Sequence, residues 1–214
     1  MKFSFLCFFI LISCIAIAQK MNRLSAEAEY GLNGNFFVRD YEERNSPIGR
    51  NFYNKNFIGP IGGVNLKYRF NKKSSIGFGY ARSVNSKEVN YSTTLPNNFE
   101  VAIQYFNIRH INKFWQLYYE RRLQQKKNCI SAEGGLFYLR SNQQELDASI
   151  YGINFEERGF EHYKLEEAGV FFGAQFSRKI DTKFYLGIKT RVYYTVSTGS
   201  LEAITLTPTL SYNF

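Results

Sequence analysis

Ile204-Thr205-Leu206-Thr207-Pro208-Thr209-Leu210-Ser211-Tyr212-Asn213-Phe214 alternates apolar and polar residues without a break and finishes on an aromatic. Successive side chains of a strand point to opposite faces, so this segment has one greasy face and one polar face. The same pattern recurs upstream. Phe184, Leu186, Ile188, Val192, Tyr194 and Val196 oppose Tyr185, Gly187, Lys189, Arg191, Tyr193 and Thr195. Ile76, Phe78, Tyr80 and Val84 oppose Gly77, Gly79, Ala81, Ser83 and Asn85. Ala26, Ala28, Tyr30 and Leu32 oppose Glu27, Glu29, Gly31 and Asn33, while Val64, Leu66, Tyr68 and Phe70 oppose Asn65, Lys67 and Arg69. Period-two alternation of this kind predicts an all-β chain of two-faced strands.

Eight such segments are expected: Ser25–Arg39, Ile58–Phe70, Ser75–Tyr91, Val101–Leu123, Cys129–Gln143, Tyr163–Ile180, Thr182–Thr198 and Leu201–Phe214. Their connections alternate in length. Asn71–Ser74, Gln124–Asn128 and Asp181-Thr182 are tight polar turns, whereas Asp40–Phe57, Ser92–Glu100 and Gln144–His162 are long loops. Thr198-Gly199-Ser200 is short and breaks the trend. Tight turns suit antiparallel neighbours. Within the fourth segment Phe106 and Ile108 share one parity and Ile111, Trp115, Leu117 and Tyr119 the other, which predicts a β-bulge near Arg109-His110.

The amino terminus reads as an export signal. Lys2 precedes the apolar run Phe3–Ile12, and Ala16-Ile17-Ala18 offers a small-residue cleavage site before Gln19. Cleavage there makes residues 1–18 a signal peptide and 19–214 one barrel domain of 196 residues. Leu11-Ile12-Ser13-Cys14 is an alternative, a lipoprotein box that would place a lipid on Cys14. Either cut leaves Cys129 without an internal partner, so it reads as an inert strand residue rather than part of a disulfide or metal cluster. The formal charge is +9, or +8 without Lys2, and an exported chain seldom meets nucleic acid. Mean hydropathy of −0.33 looks water-soluble, yet membrane barrels hide in such averages because every second strand residue faces a polar lumen.

Periodicity does not say which face is inside, since a lipocalin-like barrel would bury the apolar one. Three observations point the apolar face toward lipid. The polar face mixes small residues with long charged ones, which suits a narrow lumen. Its charges are complementary: Glu27, Glu29 and Glu133 can meet Lys67, Arg69, Lys189 and Arg191. Aromatic residues make up 18% of the chain and gather near both ends of the strands. Tyr68, Phe70, Trp115, Tyr118, Tyr119, Phe184, Tyr212 and Phe214 lie toward the turns; Phe36, Phe37, Tyr91, Tyr105, Phe106 and Tyr194 lie toward the loops.

These residues resemble the small eight-stranded outer-membrane barrels, the OmpA membrane-domain and OmpX-like group. The Phe-, Tyr-, Asn- and Lys-rich composition looks most like the outer-membrane β-barrel domain proteins of the Bacteroidota. The resemblance implies an eight-stranded antiparallel up-and-down transmembrane β-barrel in a Gram-negative cell envelope, with outer-membrane lipids, lipopolysaccharide and the barrel-insertion machinery as partners. It also implies that Leu210, Tyr212 and Phe214 carry the C-terminal insertion signal. Members of such groups are scaffolds, adhesins, secretion-system accessory subunits or lipid-modifying enzymes, and fold alone does not choose among them.

Candidate chemistry is sparse. His110 and His162 are the only neutral-pH bases, and Arg109-His110-Ile111-Asn112 lacks a Ser two positions from the His. His162 follows Glu156, Glu157 and Glu161, but their spacing matches no calcium loop. Gly59–Gly63 is no phosphate cradle, since no helix follows; it reads as flexible backbone or a bulge at a strand entrance. No catalytic, cofactor or metal residue is assigned. The expectation is a non-enzymatic barrel with a side-chain-filled lumen and contact-making loops, a lipid-modifying enzyme or a secreted soluble binding barrel being the rivals.

Overall fold

A computed structural model describes residues 23–35, 57–94, 100–125, 128–143 and 164–214. The proposed signal peptide, the loop girdle residues Phe36 and Phe37, the expected loop Gln144–His162 and all but the last residue of the expected loop Asp40–Phe57 lie outside these described residues. The chain forms eight strands in sequence order: β1 Leu24–Asn35, β2 Phe57–Arg69, β3 Ser74–Thr94, β4 Glu100–Gln125, β5 Asn128–Gln143, β6 Lys164–Lys179, β7 Phe184–Thr195 and β8 Ser200–Asn213. Each pairs antiparallel with its neighbours, and β1 pairs with β8, so the sheet closes into an up-and-down barrel. Closure leaves no unpaired edge between first and last strands, which is the condition for a sheet to stand in hydrocarbon.

The wall is inverted relative to a water-soluble barrel. Leu186, Ile188, Leu206 and Leu210 are 54, 54, 53 and 47% exposed on the outside, while Glu29 and Arg191 are 6 and 1% exposed inside. An apolar exterior around a polar interior is the arrangement of a transmembrane β-barrel.

The short turns are built by local chemistry. Between β2 and β3, Asn71 Oδ1 accepts the amide hydrogens of Lys73 (2.9 Å) and Ser74 (2.7 Å), an Asx turn. Gly199 holds φ +64° between β7 and β8, a left-handed conformation that suits a residue without Cβ. At the turn end Phe184, Tyr212 and Phe214 form a run of rings at 5.0 and 5.1 Å, and Lys183 Nζ reaches the Tyr212 hydroxyl at 3.3 Å.

Three expectations from the sequence need correction. The β3–β4 ladder runs unbroken through Asn85↔His110 and Ser86↔Arg109, so no bulge lies at Arg109-His110. The register instead shifts between Val89 and Tyr91, and again between Arg122 and Gln124 in the β4–β5 ladder. Likewise Gly59–Gly63 sits inside β2 in regular register with Gly62↔Tyr30 and Gly63↔Glu29. Tyr118 belongs to no girdle: it is 2% exposed and points into the lumen with Phe114, Gln116 and Glu120. The parity argument failed in β4 because it assigned every large apolar residue to the outer face, whereas the lumen itself takes large rings.

Candidate functional site: a packed lumen

The inward face divides into layers from the turn end upward. The lowest is ionic. Lys67 Nζ lies 3.1 Å from Glu27 Oε2 and 2.7 Å from Glu120 Oε2. Lys189 Nζ contacts a Glu27 carboxylate oxygen and lies 3.1 Å from Glu29 Oε2. Arg191 donates from Nε to Glu133 Oε1 (2.5 Å) and from Nη1 to Glu29 Oε1 (2.9 Å), with Nη2 on Asn65 Oδ1 at 3.3 Å. Gln175 ties the layer together, donating to Glu27 Oε2 (2.7 Å) and Thr209 Oγ1 (3.1 Å) and accepting from Lys67 (3.2 Å).

Strand periodicity puts these groups on one face, and the barrel's stagger decides who meets whom. Four carboxylates (Glu27, Glu29, Glu120, Glu133) face three cations (Lys67, Lys189, Arg191), and Arg122, with Nε 4.0 Å from Glu120 Oε1, brings the set to neutrality. Buried charge is tolerable when paired in this way and each donor is hydrogen-bonded. Of the residues expected in this network, Glu27, Glu29, Lys67, Glu133, Lys189 and Arg191 come together. Arg69, at the end of β2, lies within electrostatic reach of Glu120 and Arg122, but its Nε has no hydrogen-bond partner among the described residues. Glu120, Asn65 and Gln175 were missed; their shared parity with Tyr118, Lys67 and Phe171 is the signal that could have found them.

Above the ions sits an aromatic plug. Tyr193 packs against Phe114 (4.9 Å between ring centroids), Phe137 (5.3 Å) and Phe171 (5.5 Å), and Tyr118 meets Phe171 at 5.9 Å. The Arg191 guanidinium lies 5.4 Å from both the Tyr118 and Phe171 rings, joining the two layers by cation–π contact. Small residues make the room: a Cβ on Gly77 would strike the Tyr118 ring, and one on Gly169 the Phe137 ring. Toward the loop end comes an amide and hydroxyl layer. Asn33 Nδ2 donates to Ser83 Oγ (3.2 Å) and Asn85 Oδ1 (3.1 Å), and Ser141 donates to Asn112 (2.5 Å).

At the turn-side mouth a cavity of about 30 Å³ is lined by Glu27, Lys67, Glu120, Ser131 and Cys129 among others. That volume holds a water molecule or two and no organic ligand. Among the described residues no group of three or more His, Cys, Asp and Glu could hold a metal ion. His110 is buried at 1% exposure in the lumen's upper layer, away from the lipid-facing wall where a lipid-cleaving base would have to work.

No protein-family model matches the sequence, and no curated protein sequence matches it. Solved structures do resemble the fold. Neisserial surface protein A superposes with a TM-score of 0.53 at 10% identity, covering 89% of this chain and 97% of that one. OprG of Pseudomonas aeruginosa gives 0.49 at 9% identity over 89% and 95%. Ail, the attachment invasion locus protein of Yersinia pestis, gives 0.49 at 9% over 90% and 99%. At such identity the likeness to the Neisserial protein is one of backbone course alone, and the chain has the fold of the small eight-stranded outer-membrane β-barrels.

Proposed function

We propose that this protein is a non-enzymatic, non-conducting barrel of the bacterial outer membrane, exported by its N-terminal signal, whose outward contacts are made by the loop segments Asp40–Phe57 and Gln144–His162. The observation that carries the reading is the filled lumen. The neutral ion-pair layer and the ring cluster of Phe114, Tyr118, Phe137, Phe171 and Tyr193 occupy the bore in series. Eight strands enclose an interior just wide enough for side chains, and here those side chains are interlocked. The wall supports the membrane assignment, since its exposed leucine, isoleucine and aromatic groups have a suitable solvent only in hydrocarbon. Among the described residues the one histidine, His110, is buried in the lumen and not on that wall, which supports the non-enzymatic reading over a lipid-modifying one.

Planar-bilayer recording on the purified, refolded full-length mature chain tests it. The expected result is insertion without stable single-channel conductance. Reproducible ion or sugar flux would overturn it, as would recovery of the native protein from the detergent-free soluble fraction of cells.

A further inference from the structure

The outer wall carries one row that a lipid-facing surface would not tolerate alone. Arg82 on β3 stands directly opposite Lys113 on β4, Lys113 opposite Arg140 on β5, and Arg140 opposite Glu166 on β6. All four share the outward parity of the exposed residues Phe78, Leu117, Leu136 and Phe172 on their strands. Like charges directly opposite on neighbouring strands repel. Glu166 Oε1, 3.9 Å from Arg140 Nε, answers one of the three cations and leaves the row two charges positive.

The next rung toward the turns is aromatic. Tyr80, Trp115 and Tyr138 are cross-strand neighbours, and their rings follow one another at 5.6 and 5.6 Å. That rung continues through Tyr138↔Ala168, and Ala168 accepts the amide hydrogen of Val196, just past the end of β7. On the β6–β7 side the cation row therefore lies at the loop-side rim of the wall, while β3 and β4 run on beyond it to Thr94 and Glu100 as a hairpin above that rim. Three cations in a line above a shelf of amphipathic rings match a lipid whose phosphate sits at the rim and whose acyl chains run down the rings.

We propose that Arg82, Lys113 and Arg140 form a binding site for a phosphate-bearing lipid headgroup of the loop-side leaflet, with Tyr80, Trp115 and Tyr138 as the floor beneath its acyl chains. The site rests on the lipid-facing wall of the proposed function. The lipid supplies the missing negative charge, and the alternating guanidinium, ammonium and guanidinium groups divide the phosphate oxygens among them.

Trp115 is the one tryptophan of the chain and therefore reports on this site directly. The experiment follows Trp115 emission of the mature protein in phosphatidylcholine nanodiscs as a small fraction of phosphatidic acid is introduced, with native mass spectrometry counting retained lipid. The wild type is expected to show a saturable shift and a retained phosphatidic acid. R82Q/K113Q/R140Q should lose both, with retention roughly fivefold weaker per cation removed, and K113R should keep them. Should the triple variant fail to fold by its heat-dependent gel mobility, K113Q alone carries the comparison.

An unchanged shift in the glutamine variants would overturn the site, as would the same shift from inorganic phosphate in pure phosphatidylcholine discs, which would make it a soluble-anion site. Bromination of the phosphatidylcholine chains separates the two levels. Quenching of Trp115 without a phosphatidic acid response sinks the site alone, whereas no quenching sinks the lipid-facing wall and the site with it.

Discussion

Arg191 holds two carboxylates and two rings at once, and that crowding makes it the side chain on which the lumen turns. Its Nε and Nη2 engage Glu133, its Nη1 engages Glu29, and its flat faces look onto Tyr118 and Phe171. Glu29 keeps Lys189 if Arg191 is lost, but Glu133 has no second cation within ion-pair distance among the described residues. Leaving a buried carboxylate unanswered costs about 3–5 kcal/mol, whereas replacing a pair by apolar groups of similar volume is close to neutral. Arg191→Met should therefore lower the unfolding free energy of the barrel in micelles by about 3–5 kcal/mol, and Glu133→Gln added to it should recover a large part. Urea titration followed by Trp115 fluorescence measures both; a double variant as unstable as the single one would show that ion pairing is not what Arg191 contributes. Arg191→Lys should fall between, because an ammonium keeps the charge and loses the two-pronged geometry.

For the strands, the consequence of period two is that most of the architecture could be read locally. The faces of β1, β2, β3, β7 and β8 follow directly from alternation, and the one-residue shifts in register, such as that at Tyr193 and Tyr194, lie too near the strand ends to scramble them. β4 resisted because Phe114 and Tyr118 are apolar yet lumenal, and no property of that strand by itself announces that Gly77 and Gly169 elsewhere have cleared space for rings. Pairings within the lumen were hidden for a related reason. Lys67 reaches Glu120 and Gln175 across the bore, residues 53 and 108 positions away, and such contacts depend on how eight strands are staggered together. Closure is the element-level claim most open to direct attack. Ala28 on β1 lies opposite Leu210 on β8, both pointing outward. In a Cys129→Ser background, Ala28→Cys with Leu210→Cys should form a disulfide on mild oxidation, since directly opposed strand residues have Cβ atoms about 4.5–5.5 Å apart. The loop of about 180 residues this closes would alter gel mobility on reduction. Absence of the crosslink in folded protein would mean an open sheet.

Taken as one body, the barrel is electrically lopsided. The short turns and their flanks carry Lys72, Lys73, Arg121, Arg122, Lys126, Lys127, Arg178, Lys179 and Lys183 against Asp181, a net of +8, while the segment from Gln143 to Glu167 sums to −5. The turn end is also where both ends of the barrel sheet lie, because the Phe214 amide donates to the Leu24 carbonyl at 3.1 Å. Barrels of this class keep short turns on the periplasmic side and send longer loops outward. That rule, together with the attraction of anionic phospholipid heads for cations in the turn sequences, predicts an orientation with turns inward and the acidic segment outward. Cysteine labelling in whole cells checks the orientation. In a Cys129→Ser background, Ser149→Cys should react with a membrane-impermeant maleimide on intact cells. Lys72→Cys, on an exposed turn, should react only after the outer membrane is permeabilised. The opposite pattern would invert the molecule, and with it the leaflet that the Arg82, Lys113 and Arg140 row addresses; the filled lumen would stand unchanged, since its packing does not depend on which way the barrel points.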